Sequence, residues 1–283
     1  MKVLPFKIPK PENSALIYQI DNGALFYSKL HQHAEIQISI ILEGEGDLIV
    51  GDTINHYKKN DVLVIGGNLP HLFRSDRLSG TNSHMLTLFF TKESFGQLFF
   101  DLIELKELAS FFRKTRSGIR LLNNQEEVKV LFMELESSTP LERFISFLNI
   151  LKFITKSKTE SLSSFVYEKI YTEDEGERMS NVMNHAIQYF NTNITLEEIA
   201  DIANMTPNAF CRYFKQRTNK TFFQFLAEIR IEHACRLIEK NKDFSITEVS
   251  DLSGFKNMSN FNRKFKQHKG MTPTSFKKYI VNH

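Results

Sequence analysis

Between Thr195 and Phe276 the chain carries one supersecondary unit twice, at an offset of about fifty residues. Phe210-Cys211-Arg212-Tyr213-Phe214-Lys215-Gln216 returns as Phe261-Asn262-Arg263-Lys264-Phe265-Lys266-Gln267. Upstream, Glu198-Ile199-Ala200-Asp201-Ile202 returns as Glu248-Val249-Ser250-Asp251-Leu252, and downstream Asn219, Thr221 and Phe225 match Gly270, Thr272 and Phe276. Each copy opens on a capping box, Thr195-x-x-Glu198 and Ser245-x-x-Glu248, in which hydroxyl and carboxylate satisfy the free N–H groups of a first helical turn. The short helices that follow stop at Asn204 and Gly254, residues that tolerate a left-handed turn. A second helix then starts at the Thr206-Pro207 cap and at Asn257. A short helix, a tight turn and a second helix make a helix-turn-helix.

The second helix of each copy has two faces. Phe210 with Phe214, and Phe261 with Phe265, are i, i+4 pairs that must turn inward. Asn208, Cys211, Arg212 and Lys215 lie off that stripe in the first copy; Met258, Ser259, Asn262, Arg263 and Lys266 do so in the second. Arg, Asn and Ser are base-edge readers in a major groove. For Arg212 and Arg263 a phosphate contact competes evenly with a base contact. Between the copies, Phe222 to Lys240 opens on a further capping box, Thr221-x-x-Gln224, and predicts a long helix that spaces the two units. At a separation of about 34 Å both second helices would enter successive major-groove turns on one face of a duplex. Arg230 on this helix is expected to brace the fold, and Arg236 to brace it or to meet phosphate.

Charge agrees with that partner. From Arg178 onward there are sixteen Lys and Arg against nine Asp and Glu, whereas the rest of the chain has twenty against twenty-four. A basic part behind an acidic one suits a polyanion. Cys211 and Cys235 have no metal-ligand spacing and read as reduced thiols. No apolar run approaches a membrane span. Pro5 and Lys7 interrupt what would otherwise be a secretory leader, so the expectation is a cytoplasmic protein. Neither a phosphate-cradling glycine loop nor a nucleophile elbow is found, and no enzyme is expected.

Upstream, short β-branched runs alternate with turn residues: Leu16 to Ile20, Glu35 to Ile40, Asp47 to Val50, Asp61 to Ile65 and Ser83 to Phe90. Their even spacing favours a sandwich or barrel. From about residue 92, Leu98 to Leu108, Val128 to Leu135 and Phe144 to Ile154 show helical spacing and are too apolar to lie exposed. They pack on the barrel, and the last is equally suited to meet a second subunit. Lys156 to Glu177 is polar and reads as a linker holding about one helical turn.

The stretch Ile194 to Ile280 resembles the AraC/XylS family of bacterial transcription regulators. The resemblance rests on Ile229-Arg230-x-x-x-Ala234-x-x-Leu237-Ile238, Ile246-x-x-Val249-Ser250-x-x-Ser253-Gly254-Phe255, Ser259-x-Phe261-x-Arg263-x-Phe265-Lys266 and Gly270-x-Thr272-Pro273. It implies base-facing positions at Asn208, Cys211 and Arg212, and at Met258, Ser259, Asn262 and Arg263. Asn219 departs from the usual glycine, and Cys211 is a poor base reader, so the second unit would carry more of the specificity.

His31-Gln32-His33-Ala34-Glu35-Ile36-Gln37, a glycine-rich hairpin and Pro70-His71 resemble the cupin-type barrel that often precedes such DNA-binding regions. In metal cupins a His-x-His pair, a carboxylate about four positions on and a third histidine hold the ion. Here Gln37 stands at the carboxylate position, so the expectation is no metal or other cofactor. Instead the resemblance implies a small-molecule effector pocket lined by His31, His33, Glu35, Gln37, His71 and Phe73.

The expected fold is therefore two-domain, α+β. A cupin-like β-barrel over about 15–90 and helices over about 92–155 form an effector and dimerisation domain, 1–160. After a linker, 161–177, comes an all-α double helix-turn-helix domain, 178–283. The expected activity is sequence-specific DNA binding in transcription under effector control. The expected partners are double-stranded DNA, a small-molecule effector, a second copy of the chain and, if the output is activation, RNA polymerase. Two other readings stay open: a metal-dependent cupin enzyme with an appended DNA-binding module, and a DNA-binding regulator that ignores small molecules.

Overall fold

The computed structural model describes residue 8 and residues 14–76, 82–164 and 173–282. Residues 1–7, which bear the expectation of no leader, lie outside them. Two compact units are present, one up to Gly176 and one from Glu177.

The first unit is layered. β1 (Ile17–Gly23), β2 (Ile36–Glu43), β5 (Val62–Ile65), β7 (Ser83–Phe90), β8 (Ile119–Leu121) and β9 (Thr159–Ser161) form one antiparallel sheet in the order β1-β7-β2-β5-β8-β9. β3 (Gly46–Val50), β4 (Thr53–Tyr57) and β6 (His71–Ser75) form a second, in the order β4-β3-β6. The expected sandwich or barrel thus takes the form of two facing sheets, not closed into one. β5 is flanked by β2 on one edge and β8 on the other. It has no edge left for a strand of the small sheet.

Helices cover the outer face of the large sheet. They are α1 (Ala109–Thr115), α2 (Gln125–Glu134) and α3 (Pro140–Lys156). Ile36, Ile38 and Ile40 of β2, Val62 and Val64 of β5, and Leu86, Leu88 and Phe90 of β7 form one core with the helices. Phe111 of α1, Phe132 of α2, and Phe147, Ile150, Leu151 and Ile154 of α3 are the helical side of it. The alternate residues Ile41, Leu63, Ile65 and Met85 meet Leu48, Val50, Tyr57 and Phe73 of the small sheet. The period of two thus places one apolar set on each side of the large sheet. The stretch 98–108 departs from expectation. It folds as two 3-10 turns, Phe99–Asp101 and Ile103–Leu108, and Leu98, Leu102 and Ile103 are exposed.

The segment expected to be linker is partly built into this unit. β9 pairs with β8, Leu162 is buried, and Asp52 clasps the chain beyond it through the Ser163 hydroxyl (2.8 Å) and the Ser164 amide (3.1 Å). Residues 165–172 lie outside the described part. A helix then runs from 173, so its first five residues fall inside the expected linker.

The second unit consists of α4 (Glu173–Tyr189), α5 (Leu196–Ile202), α6 (Pro207–Thr218), α7 (Phe222–Lys240), α8 (Ile246–Leu252), α9 (Met258–Lys269) and α10 (Pro273–Asn282). All three capping boxes form, at Thr195, Thr221 and Ser245. The two turns share their hydrogen bonding. The Met205 amide bonds to the Ala200 carbonyl (2.9 Å), and the Phe255 amide to the Ser250 carbonyl (3.1 Å). Asn204 (φ 51°) and Gly254 (φ 78°) take the left-handed conformation, as a Schellman ending requires. α7 serves both copies. Its Phe222 and Phe225 join Phe210 and Phe214 of α6, while Ile231, Ala234 and Ile238 join Phe261 and Phe265 of α9.

The two turns differ in one respect. A Cβ on Gly254 would lie 2.6 Å from Asn191 Cα and 2.8 Å from the Phe190 carbonyl oxygen. Close approach and positive φ both exclude a side chain there, so Gly254→Ala should lower the stability of the second unit by about 2 kcal/mol or more. Asn204→Gly should change it by well under half of that. Urea melts of the two variants that coincide would refute the close approach.

Candidate functional site

The outer faces of α6 and α9 are where the sequence places the DNA readers. Phe210, Phe214, Phe261 and Phe265 are fully buried. On the opposite side Asn208, Cys211, Arg212 and Lys215 are exposed, as are Ser259, Asn262, Arg263 and Lys266. Met258 is the exception: it is half-buried and packs on the core of the second copy. No acidic side chain pairs with Arg212, Lys215 or Lys266 among the described residues. Arg263 donates to the Asn260 side-chain oxygen (2.8 Å), which holds its guanidinium over the first turns of α9. Cys235 is buried, and burial pushes its thiol up to about 12, so it is inert packing. Cys211 is a free, exposed thiol.

Behind these faces lies a brace. Arg230 on α7 donates to the carbonyls of Phe190 (2.7 Å) and Thr192 (2.8 Å), which follow α4. Its guanidinium also lies over the Phe255 ring, 5.8 Å from the centroid. His233, one turn on, lies tilted against the Phe190 ring, 4.7 Å between centroids. The expected bracing role of Arg230 is what these contacts describe. Segment 190–192 is thereby held between α7 and the turn at Gly254.

In the first unit the three histidines converge. The backbones of His31 and His71 exchange two hydrogen bonds, of 3.0 and 2.9 Å. The rings of His31 and His71 lie 4.2 Å apart and those of His33 and His71 5.1 Å. Each Nδ1 meets a backbone carbonyl: Lys29 for His31 (2.9 Å), Glu35 for His33 (2.9 Å) and Leu69 for His71 (2.8 Å). Burial lowers all three pKa values, that of His31 to about 4 and that of His71 well below its ordinary value.

A polar strip runs from the cluster along the inner face of the large sheet. His33 Nε2 meets Gln37 Oε1 (3.3 Å), the Gln37 amide donates to Ser39 Oγ (2.9 Å), and Ser39 Oγ bonds to Thr87 Oγ1 (2.9 Å). Ser39 and Thr87 are fully buried and were not singled out from the sequence. Their signal was available: both interrupt apolar runs at positions that share a strand face with Gln37 and Met85. Glu35 is directed to the other side of His33, 3.8 Å from Nδ1. Phe73 shares a strand face with His71, but its ring partners are Phe26 and Tyr57. A groove of about 310 Å³ at Ala34, Gly67, Thr91, Phe112 and Arg116 includes none of the six expected pocket residues.

The duplicated turns and the outward polar faces define the class of the C-terminal unit, a double helix-turn-helix domain, and a double-stranded DNA is the partner such a domain takes. The family model for a helix-turn-helix domain matches residues 199–279. Along most of its length the chain is similar to the HTH-type transcriptional regulator YdeC of Bacillus subtilis, 27% identical over 258 residues, 89% of this chain and 87% of that one. The probable transcriptional regulator LumQ of Photobacterium leiognathi is 26% identical, covering 88% and 92%. The transcriptional regulatory protein YesN of Bacillus subtilis is 33% identical over 90 residues, only 31% of this chain and 24% of that one. The likeness to the first two therefore extends through both units, and that to the third stays within the C-terminal part. All three relatives are named as transcriptional regulators. No helix among the described residues is long and apolar enough to cross a membrane.

The brace can be tested directly. Arg230→Met keeps the aliphatic length and removes both donors, leaving two carbonyls short of partners. It should cost about 1–3 kcal/mol of stability in the second unit. Amide exchange should accelerate at residues 190–194. An unchanged melting temperature would show that the two bonds contribute nothing net.

Proposed function

We propose that this chain is a cytoplasmic, sequence-specific transcription regulator whose helices α6 and α9 enter neighbouring major grooves of one promoter duplex. Asn208, Arg212 and Lys215 on the first helix, and Ser259, Asn262, Arg263 and Lys266 on the second, make the contacts. Cys211 lies at the interface without reading a base. Met258 supports α9 rather than touching DNA. The observation that carries this reading is the pairing of two polar, cationic helix faces on one rigid spacer, each backed by a buried Phe pair. Arginine and asparagine supply bidentate base readout, and lysine supplies phosphate attraction.

In this proposal the first unit senses a small molecule between its two sheets. The buried strip Gln37, Ser39 and Thr87 supports that role, since polar side chains facing an otherwise apolar interior give a ligand orientation. The ligand must bind two states of the protein with different affinity to control anything. The first unit also carries a dimer contact, supported by exposed Leu141 and Ile145 on α3 and by Val130 and Met133 on α2. Two copies would read two half-sites, and an activating output would engage RNA polymerase.

Binding of the full chain to the promoter of a neighbouring gene, against random duplex of equal length, tests the assignment. Arg263→Ala should lose about 1–3 kcal/mol of discrimination and relax the operator at one position. Lys266→Ala should weaken all sequences alike and reduce the salt slope by about one. Equal affinity for promoter and random duplex would overturn the promoter assignment. Full selectivity in Arg263→Ala would overturn α9 as the reading helix.

A further inference from the structure

We propose that Asn260 is a positioning residue for Arg263: it directs the arginine of α9 to a guanine, while the matching arginine of α6, which has no such holder, discriminates less. This rests on the function proposed above and assigns what α9 reads. The duplicated unit supplies its own comparison. In the register that sets Phe210 against Phe261, Arg212 matches Arg263 and Ala209 matches Asn260. The two helices begin alike. The Ala209 amide donates to the Thr206 cap (3.4 Å), and the Asn260 amide to the Asn257 cap (3.0 Å). They differ in the side chain that this first turn presents. Asn260 and Arg263 are both exposed, and a terminal amino group of the Arg263 guanidinium donates to Asn260 Oδ1 at 2.8 Å. Ala209 offers no acceptor, and Arg212 is exposed with no partner among the described residues.

An arginine on a reading helix can swing to a phosphate or reach a base edge. The acceptor at position 260 lies toward the N-terminal end of α9, the end of a recognition helix that meets base edges. A guanidinium tied there has given up rotamers before DNA arrives, so less freedom is lost on binding. It has more donors than this single bond uses, and those left suffice for the paired contact with guanine O6 and N7. The holder is neutral, so the positive charge stays available to the duplex. A carboxylate in its place would hold the arginine as well but repel the phosphates. Arg212 keeps all its rotamers and is open to whichever phosphate or base lies nearer.

The full chain is used to select duplexes from a library with a randomised window. Base preferences are compared between the parent and Arg263→Ala, Asn260→Ala, Asn260→Asp and Ala209→Asn. Arg263→Ala identifies the position that Arg263 reads. Asn260→Ala should lower the guanine preference at that position by about threefold to tenfold and leave the other positions as they were. Asn260→Asp, which retains the acceptor, should keep the preference and bind every duplex more weakly. Ala209→Asn should give Arg212 an equivalent holder and sharpen one position in the groove met by α6. A residue that acts on stability alone would move all positions together. The positioning role is overturned if Asn260→Ala leaves the guanine preference at parent strength, or if it weakens every position equally. An Ala209→Asn chain that sharpens nothing overturns the account of the difference between the helices. A parent that enriches no sequence, or an Arg263→Ala chain that alters no position, brings down the reading of α9 itself, an outcome distinct from the failure of Asn260 alone.

Discussion

The second unit depends on the turn that follows α4, residues 190–192, being gripped from two sides. Arg230 takes two of their carbonyls, and the turn at Gly254 approaches so closely that a methyl group would collide. Carbonyls beyond a helix end need partners from elsewhere, and the guanidinium with its fixed fork of donors is suited to two at once. The same side chain covers Phe255, the first residue after the second turn. The end of α4, the spacer helix and the second helix-turn-helix are therefore positioned by one contact. The polar face of α9 is placed by that second motif, and that of α6 by its Phe pair against α7.

In the first unit the governing constraint is a sheet with two unlike faces. Ile36, Ile38 and Ile40 point at helices, while Gln37, Ser39 and Ile41 point at the small sheet. Helices can cover a wholly apolar face. The inner face can hold a polar strip because Gln37, Ser39 and Thr87 satisfy one another. The histidine cluster lies at the end of this strip, joined to it by the contact of His33 with Gln37.

Much of this was legible in the residues. Capping boxes are local chemistry, and all three were found where Thr195, Thr221 and Ser245 predicted them. Phe pairs at i, i+4 gave the inner faces of α6 and α9. What escaped notice had little local signal. β8 and β9 have three residues each and exist only because they pair with β5 and with each other. β4, Thr-Ile-Asn-His-Tyr, is half polar because it lies at the edge of the small sheet. The run from Leu98 to Leu108 misled in the other direction: its leucines promise a buried helix, yet several are exposed on 3-10 turns. Among site residues, the histidines were legible as a group because His31 and His33 alternate. Their union with His71 required the backbone bridge, a long-range contact. Met258 looked outward by spacing, but a methionine at the start of α9 finds the core, being flexible enough to turn into it.

The spacer helix α7 has Phe222 and Phe225 in one core and Ile231, Ala234 and Ile238 in the other. Two cores that share a continuous element cannot melt one at a time without exposing half of it. The duplicated region therefore behaves as a single cooperative unit in spite of its internal symmetry. Sequence drift in either copy is constrained by the other, and a partially unfolded species with one intact motif has no stable floor to rest on.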